Sequence, residues 1–259
     1  MLQKKPSGLR KLILPIAIAG LLVLTVLALV VVGKPATQTP DAAKPDSKDP
    51  VPAQDVTALL PKLVVGAEGS MTGYSRDKFP HWDVNRPVHG FGDQFAQYSR
   101  CTTRVVMLLR DAVGSVRLDP KTCEFTVGTG GGWRDQYGVA DRKTGELKPY
   151  KWVTDPSGMD ADHIVPLAEA WRSGAAALDD ETRRRIANDA INLVVSDPTA
   201  NRSKGDQDPA NYLPPGNFRC AYISRYVQVK VKYALTVDSA EQAALRTAVG
   251  DCARRGGFK

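Results

Sequence analysis

The stretch MDADHIVPLAEAW, residues 159–171, places Asp160, Asp162 and His163 directly before an apolar Ile164-Val165 pair and Pro166. Two carboxylates and an imidazole against an apolar run must be paired, hydrogen-bonded or bound to a metal, because an unsatisfied buried polar group is costly. If residues 161–165 form a strand, Asp160 and Asp162 share one face, His163 takes the other, and Pro166 ends the ladder. At a strand end a carboxylate and a histidine approach one phosphate from adjacent directions. Downstream, Asn192 opens a second apolar stretch, Asn201 follows nine residues later, and Lys204 and Asp206 come next. Singly, these residues have ordinary structural roles: a satisfied histidine, a strand-edge turn residue, a helix cap. Among them, an imidazole of ordinary, near-neutral pKa is the group suited to base catalysis at ambient pH.

The elements that would position this set are legible in the surrounding pattern. The segment TRVVMLLRDA reads as a helix with one broad apolar face. β-Branched residues around Cys123 and the glycines before Trp133 read as a hairpin leading towards Asp160. Gly130–Gly132 lacks the lysine-hydroxyl pair of a phosphate loop. LAEAWRSGA is a short helix ending at Gly174, and LDDETRRRIANDA is a second, capped by Asp179 or Asp180. Arg183, Arg184 and Arg185 read as a solvated face of that helix. INLVVSDPTANRSKGD gives a strand, a turn at Asp197-Pro198 and a helix start. RCAYISRYVQVKVKYAL is read as a helix on its length, and DSAEQAALRTAVGDC as a final helix capped by Asp238 or Ser239. In GYSRDKFPHWDVNRP, Tyr74 and Trp82 are expected to pack a small core, with His81 and His89 at the surface.

The 259 residues suffice for one domain with appendages. Lys4, Lys5, Arg10 and Lys11 precede an uncharged apolar run over residues 12–32. Its length, near the roughly 20 residues of a membrane span, points to an anchor or signal segment over 1–33. The basic flank keeps the N-terminus inside and places the rest outside the cytoplasm, single-pass, or secreted if the segment is cleaved. Residues 34–55, rich in Pro, Ala, Asp and Lys, read as a flexible linker. Outside the membrane cysteines oxidise, and neighbour pairing of Cys101 with Cys123 and Cys220 with Cys252 closes the shortest loops. No C-x-x-C spacing or nearby histidine supports zinc. Of the net charge of +7, seven Lys/Arg and three Asp/Glu lie in the first 50 residues, so the outer domain carries +3. Any electrostatic footprint on it is local.

The pattern Asp-His-Ile-Val-Pro, an Asn-Leu strand and Asn-x-x-Lys resembles the HNH nucleases, whose site is a β-hairpin crossed by a helix holding one divalent metal. From Tyr74 to Cys252 the order of features is similar to the secreted or membrane-anchored HNH endonuclease family proteins of actinobacteria. The resemblance implies an α+β fold, with a ββα-metal core over residues 158–206 embedded in a mostly helical, disulfide-stapled domain over 56–259. It makes His163 the general base, Asp162 and Asn201 the metal ligands, and Asn192 the group that orients the His163 ring. It has Lys204 meet a phosphate oxygen or hold the helix start; Asp160 stays unassigned. Asparagine at the third position, a neutral oxygen donor, implies Mg²⁺ foremost, then Mn²⁺, over Zn²⁺. The function implied is an extracytoplasmic endonuclease of low sequence specificity acting on DNA, since no base-reading module accompanies the site. Its alternatives are a ribonuclease using the same site, or a non-catalytic surface module binding nucleic acid or cell wall. No protein partner is inferable.

Overall fold

The structure, a computed structural model, describes residues 56–258. The expected anchor over 1–33 and linker over 34–55 lie outside these residues. Among the described residues no helix is long and apolar enough to cross a membrane.

A short helix, α1 (Val56–Leu59), leads to strand β1 (Val64–Val65), and an irregular aromatic-basic arm follows. Helix α2 (Thr103–Arg110) starts where the Thr102 side chain accepts from the Val105 amide, and it buries Val106, Met107 and Leu108. Strands β2 (Val116–Leu118) and β3 (Phe125–Val127) form an antiparallel hairpin. The glycine run then packs tightly: a Cβ on Gly131 would stand 2.1 Å from the Ser115 carbonyl, and one on Gly132 2.4 Å from that of Val153. These glycines therefore serve close backbone approach and no phosphate.

Strand β4 (Trp133–Arg134) pairs antiparallel with β5 (Trp152–Val153), and β6 (Asp160–His163) follows. Helices α3 (Leu167–Arg172) and α4 (Asp180–Asn188) intervene before β7 (Leu193–Ser196), which pairs antiparallel with β6. The register sets Asp160 against Ser196, Asp162 against Val194 and His163 against Leu193. Helix α5 (Pro198–Lys204) leaves β7 at once, capped by Asp197, whose carboxylate accepts from the Thr199 and Ala200 amides. Helix α6 (Arg219–Lys232), strand β8 (Thr236–Val237), parallel to β1, and helix α7 (Ser239–Arg254) complete the chain. The fold is thus α+β.

The β6–β7 hairpin stands between two cores. Val194 joins the larger core, with Ile164, Trp171, Ile186 and the apolar faces of α6 and α7. Leu193 and Val195 join a second one with Val106, Leu108 and Trp133. Alternation along β7 explains the division, since successive residues face opposite sides. Disulfides join Cys101 to Cys123 and Cys220 to Cys252, as compartment and spacing predict. The first closes a loop from the start of α2 to the β2–β3 hairpin, and the second ties α6 to α7.

Two expectations of exposure fail. His89 is buried, 1% exposed, near Asp83, and its pKa is lowered chiefly by that burial. Arg183 is buried as well: its guanidinium donates to the Lys78 carbonyl at 2.9 Å and lies over the Trp171 ring. In both, tertiary contact with residues 78–83 or 171 overrides the polar character of the local sequence.

Candidate active site

At the end of β6 a cavity of about 300 Å³ gathers Asp162, His163, Asn201 and Arg202 with Tyr74, Arg76, Pro166 and Asp206. Strand alternation sends Asp162 and His163 to opposite faces of the hairpin, and only the strand's end lets both meet one space.

His163 is 2% exposed. Its Nε2 lies 2.9 Å from the carbonyl oxygen of Ala187, in the last turn of α4, where carbonyls have no partner within the helix. A carbonyl only accepts, so Nε2 carries the hydrogen and Nδ1 holds the lone pair; among the described residues nothing hydrogen-bonds Nδ1. Trp82 stacks on the ring, centroids 5.8 Å apart and planes within 22°. Burial pushes the His163 pKa down to about 3, with the positive charges of Arg76 and Lys204 adding to it and the Ala187 carbonyl opposing. The near-neutral value expected for this residue is therefore corrected, and the ring is neutral at ambient pH.

Asp162 accepts through Oδ2 from the Tyr137 hydroxyl at 2.7 Å, and the Lys204 ammonium stands 2.9 Å from the same oxygen. Its other oxygen has no protein partner among the described residues. Lys204 is fully buried, and this ion pair accounts for its charge. A buried ammonium without a counter-ion would be strongly unfavourable. Lys204 thereby closes α5 onto the Asp162 carboxylate.

Asn201, on α5, donates through Nδ2 to Asp160 Oδ2 at 3.0 Å. A carboxylate only accepts, so the amide orientation is settled and the Asn201 carbonyl oxygen is the free end. Asp160 thus has a role that the sequence left open. Among the described residues Asn192 makes no hydrogen bond to the His163 ring. Its fully buried carboxamide accepts from the Val165 amide at 2.8 Å and donates to the Ile186 carbonyl at 3.0 Å. It ties the hairpin to the end of α4, one residue before the carbonyl that holds the imidazole, so its effect on the ring passes through the backbone.

Three contributors escaped the sequence reading. Tyr137 is set by Asp135, whose Oδ1 accepts from the amides of both Tyr137 and Asp197, at 3.2 and 2.8 Å. Trp82, expected in a small core, adopts a left-handed backbone, φ 62°, rare for a bulky side chain, and covers the candidate base. Arg76 stands in the cavity wall. No spacing rule links residues 76, 82 and 137 to 162–204, although aromatics among basic residues were a visible signal. A separate carboxylate group, Glu68, Asp208 and Asp238, lies away from this cavity's lining.

Comparison with known proteins adds two findings. Residues 126–248 match the family described as GmrSD restriction endonucleases, C-terminal domain. An uncharacterized secreted protein of Arthroderma benhamiae is 36% identical over 203 residues, covering 77% of this chain and 86% of its own length. No solved structure matches the chain.

Proposed function

Since the chain belongs to one family with the secreted Arthroderma protein and carries a match to the GmrSD C-terminal domain, we propose that it is an HNH-type endonuclease acting outside the cytoplasm. Its substrate is DNA, hydrolysed with low sequence specificity. The observation that carries this reading is the convergence of a neutral, backbone-held imidazole with two oxygen donors on one cavity at a strand end.

The donor set suits a hard divalent cation. One oxygen of Asp162 and the carbonyl oxygen of Asn201 would hold Mg²⁺ or Mn²⁺, leaving further positions to water and phosphate oxygens. When bound, the ion supplies charge that stabilises the phosphorane and the departing 3′ oxygen. His163 takes a proton from the attacking water at Nδ1, while Nε2–H stays anchored to Ala187. Its low proton affinity keeps it unprotonated, and a phosphate entering the cavity shifts that affinity upwards. Asp160 keeps the Asn201 carbonyl oxygen pointed away from its own carboxylate. Tyr137 and Lys204 hold Asp162 in one rotamer. Placement outside the cytoplasm fits the two disulfides and the secreted relative; the single-pass anchor over residues 12–32 belongs to the same proposal.

Incubation of the purified protein with supercoiled plasmid, single-stranded DNA and RNA, with Mg²⁺, Mn²⁺ or chelator, tests the reading. Nicking and linearisation of plasmid that stop on chelation are expected. Cleavage of RNA alone would make it a ribonuclease, and binding without cleavage in any metal would make it a non-catalytic module.

A further inference from the structure

Resting on the nuclease reading, we propose that Arg76 binds a phosphate of the nucleic-acid substrate beside the scissile bond. The arm over residues 74–82, which lies outside the matched segment 126–248, is then a wall of the active site. Tyr74 and Arg76 line the same cavity as Asp162, His163 and Asn201. Arg76 is exposed, and its one side-chain hydrogen bond among the described residues runs from Nε to His81 Nε2 at 3.4 Å. No carboxylate pairs with it among those residues, so both terminal nitrogens are available for a bidentate contact with phosphate. The other acid on the rim, Asp206, is already bonded to Arg172 at 2.7 Å. An arginine over a site that already holds a buried lysine makes sense where an anion is to be received, because cations alone repel one another.

The arm is held firmly enough to place this group. Phe79 is fully buried, with its ring 6.4 Å from that of Trp171 and 6.5 Å from that of Tyr74. Arg183 donates to the Lys78 carbonyl at 2.9 Å, and Asn188 to the Pro80 carbonyl at 2.8 Å. Both donors sit on α4, the helix that also anchors His163 through Ala187, so one element sets the distance between base and phosphate anchor.

The test is fluorescence anisotropy of labelled DNA with wild type, Arg76→Ala, Arg76→Lys and Arg142→Ala, in chelator, across 50–200 mM salt, with melting curves as a check on folding. Arg142 is an exposed arginine away from the cavity lining and serves as the control. Arg76→Ala is expected to weaken binding by roughly 10-fold or more and to reduce the slope of log affinity against log salt by about 1. Arg76→Lys should keep the slope while losing part of the affinity. If Arg76→Ala behaves as Arg142→Ala while wild type binds and cleaves, the assignment of Arg76 is overturned and the nuclease reading stands. If Arg76→Ala melts early, the Arg76→Lys result decides, an affinity equal to wild type overturning the bidentate contact. Wild type that neither binds nor cleaves nucleic acid overturns the nuclease reading itself.

Discussion

His163 and Asp162 are neighbours in sequence with separable duties, and this separation is measurable. His163→Ala removes the proton acceptor and leaves both oxygen ligands, so activity should fall by roughly 10²–10⁴ and no metal concentration should restore it. Asp162→Ala removes the anionic ligand, so Mn²⁺ dependence should move to higher concentration with partial recovery. A metal titration of both variants in which His163→Ala recovers would make the histidine a ligand. Lys204 offers a second check, because its ammonium neutralises the carboxylate expected to receive the cation. In Lys204→Met, calorimetry should find tighter Mn²⁺ binding without DNA, and Mn²⁺ should raise the melting temperature more than in wild type. Equal affinities would mean that the ion pair has no influence on the metal. Trp82→Ala should lower kcat by roughly 10- to 100-fold with little change in DNA affinity, and Trp82→Phe should recover most of it, since the stacking face is what holds the imidazole. A loss confined to KM would place Trp82 in substrate binding.

Helix α4 carries more of the site than its sequence of charges suggests. Ala187 holds the base, Ile186 holds Asn192, and Arg183 and Asn188 hold the arm. Behind it, α3, α6 and α7 share a buried charge group in which Lys230 meets Glu169 at 2.8 Å and Glu241 at 3.0 Å. Arg172 also pairs with Glu169, at 2.9 Å, and Tyr226 lies beside Glu241. Burial raises the Glu241 pKa from its ordinary value of 4.5 to about 7, with Lys230 opposing and Glu169 reinforcing. Because the folded value is the higher one, the stabilising contribution is complete below pH 4.5 and is lost as pH rises to about 7. Denaturant titrations of wild type and Glu241→Gln at pH 4.5 and pH 8 should therefore show the wild type losing stability relative to the variant at the higher pH. A difference independent of pH would mean that folding leaves the Glu241 pKa unshifted.

For the whole domain, the disulfides bracket the site without touching it. They close separations of 22 and 32 residues, each worth about 3–4 kcal/mol on a chain-entropy estimate. Reduction should lower the melting temperature by tens of degrees while leaving residual activity at low temperature. Immediate loss of activity on reduction, with the fold intact by circular dichroism, would show that the bridges also position the site. Protease applied to intact cells should remove the domain if it is displayed outside, and protection until lysis would reverse the proposed placement.

Local chemistry determined much of this protein before any packing was known. Caps at Asp179 and Asp238, the Asp197-Pro198 helix start and the apolar run of β7 follow from short-range rules, because each depends on neighbours within a turn or along one element; the cysteine pairing follows from compartment and separation, and Asp162, His163, Asn201 and Lys204 stand out through their resemblance to the HNH pattern. Tertiary structure alone decided which atoms those residues turn to one another. It engaged Lys204 with Asp162, set Asn192 on backbone groups, and moved the His163 pKa to about 3. It also brought Arg76, Trp82 and Tyr137 to residues dozens of positions away. The physical reason is that burial and long-range pairing set the desolvation and partners of each polar group, and neither is encoded in the period or propensity of the segment that carries it.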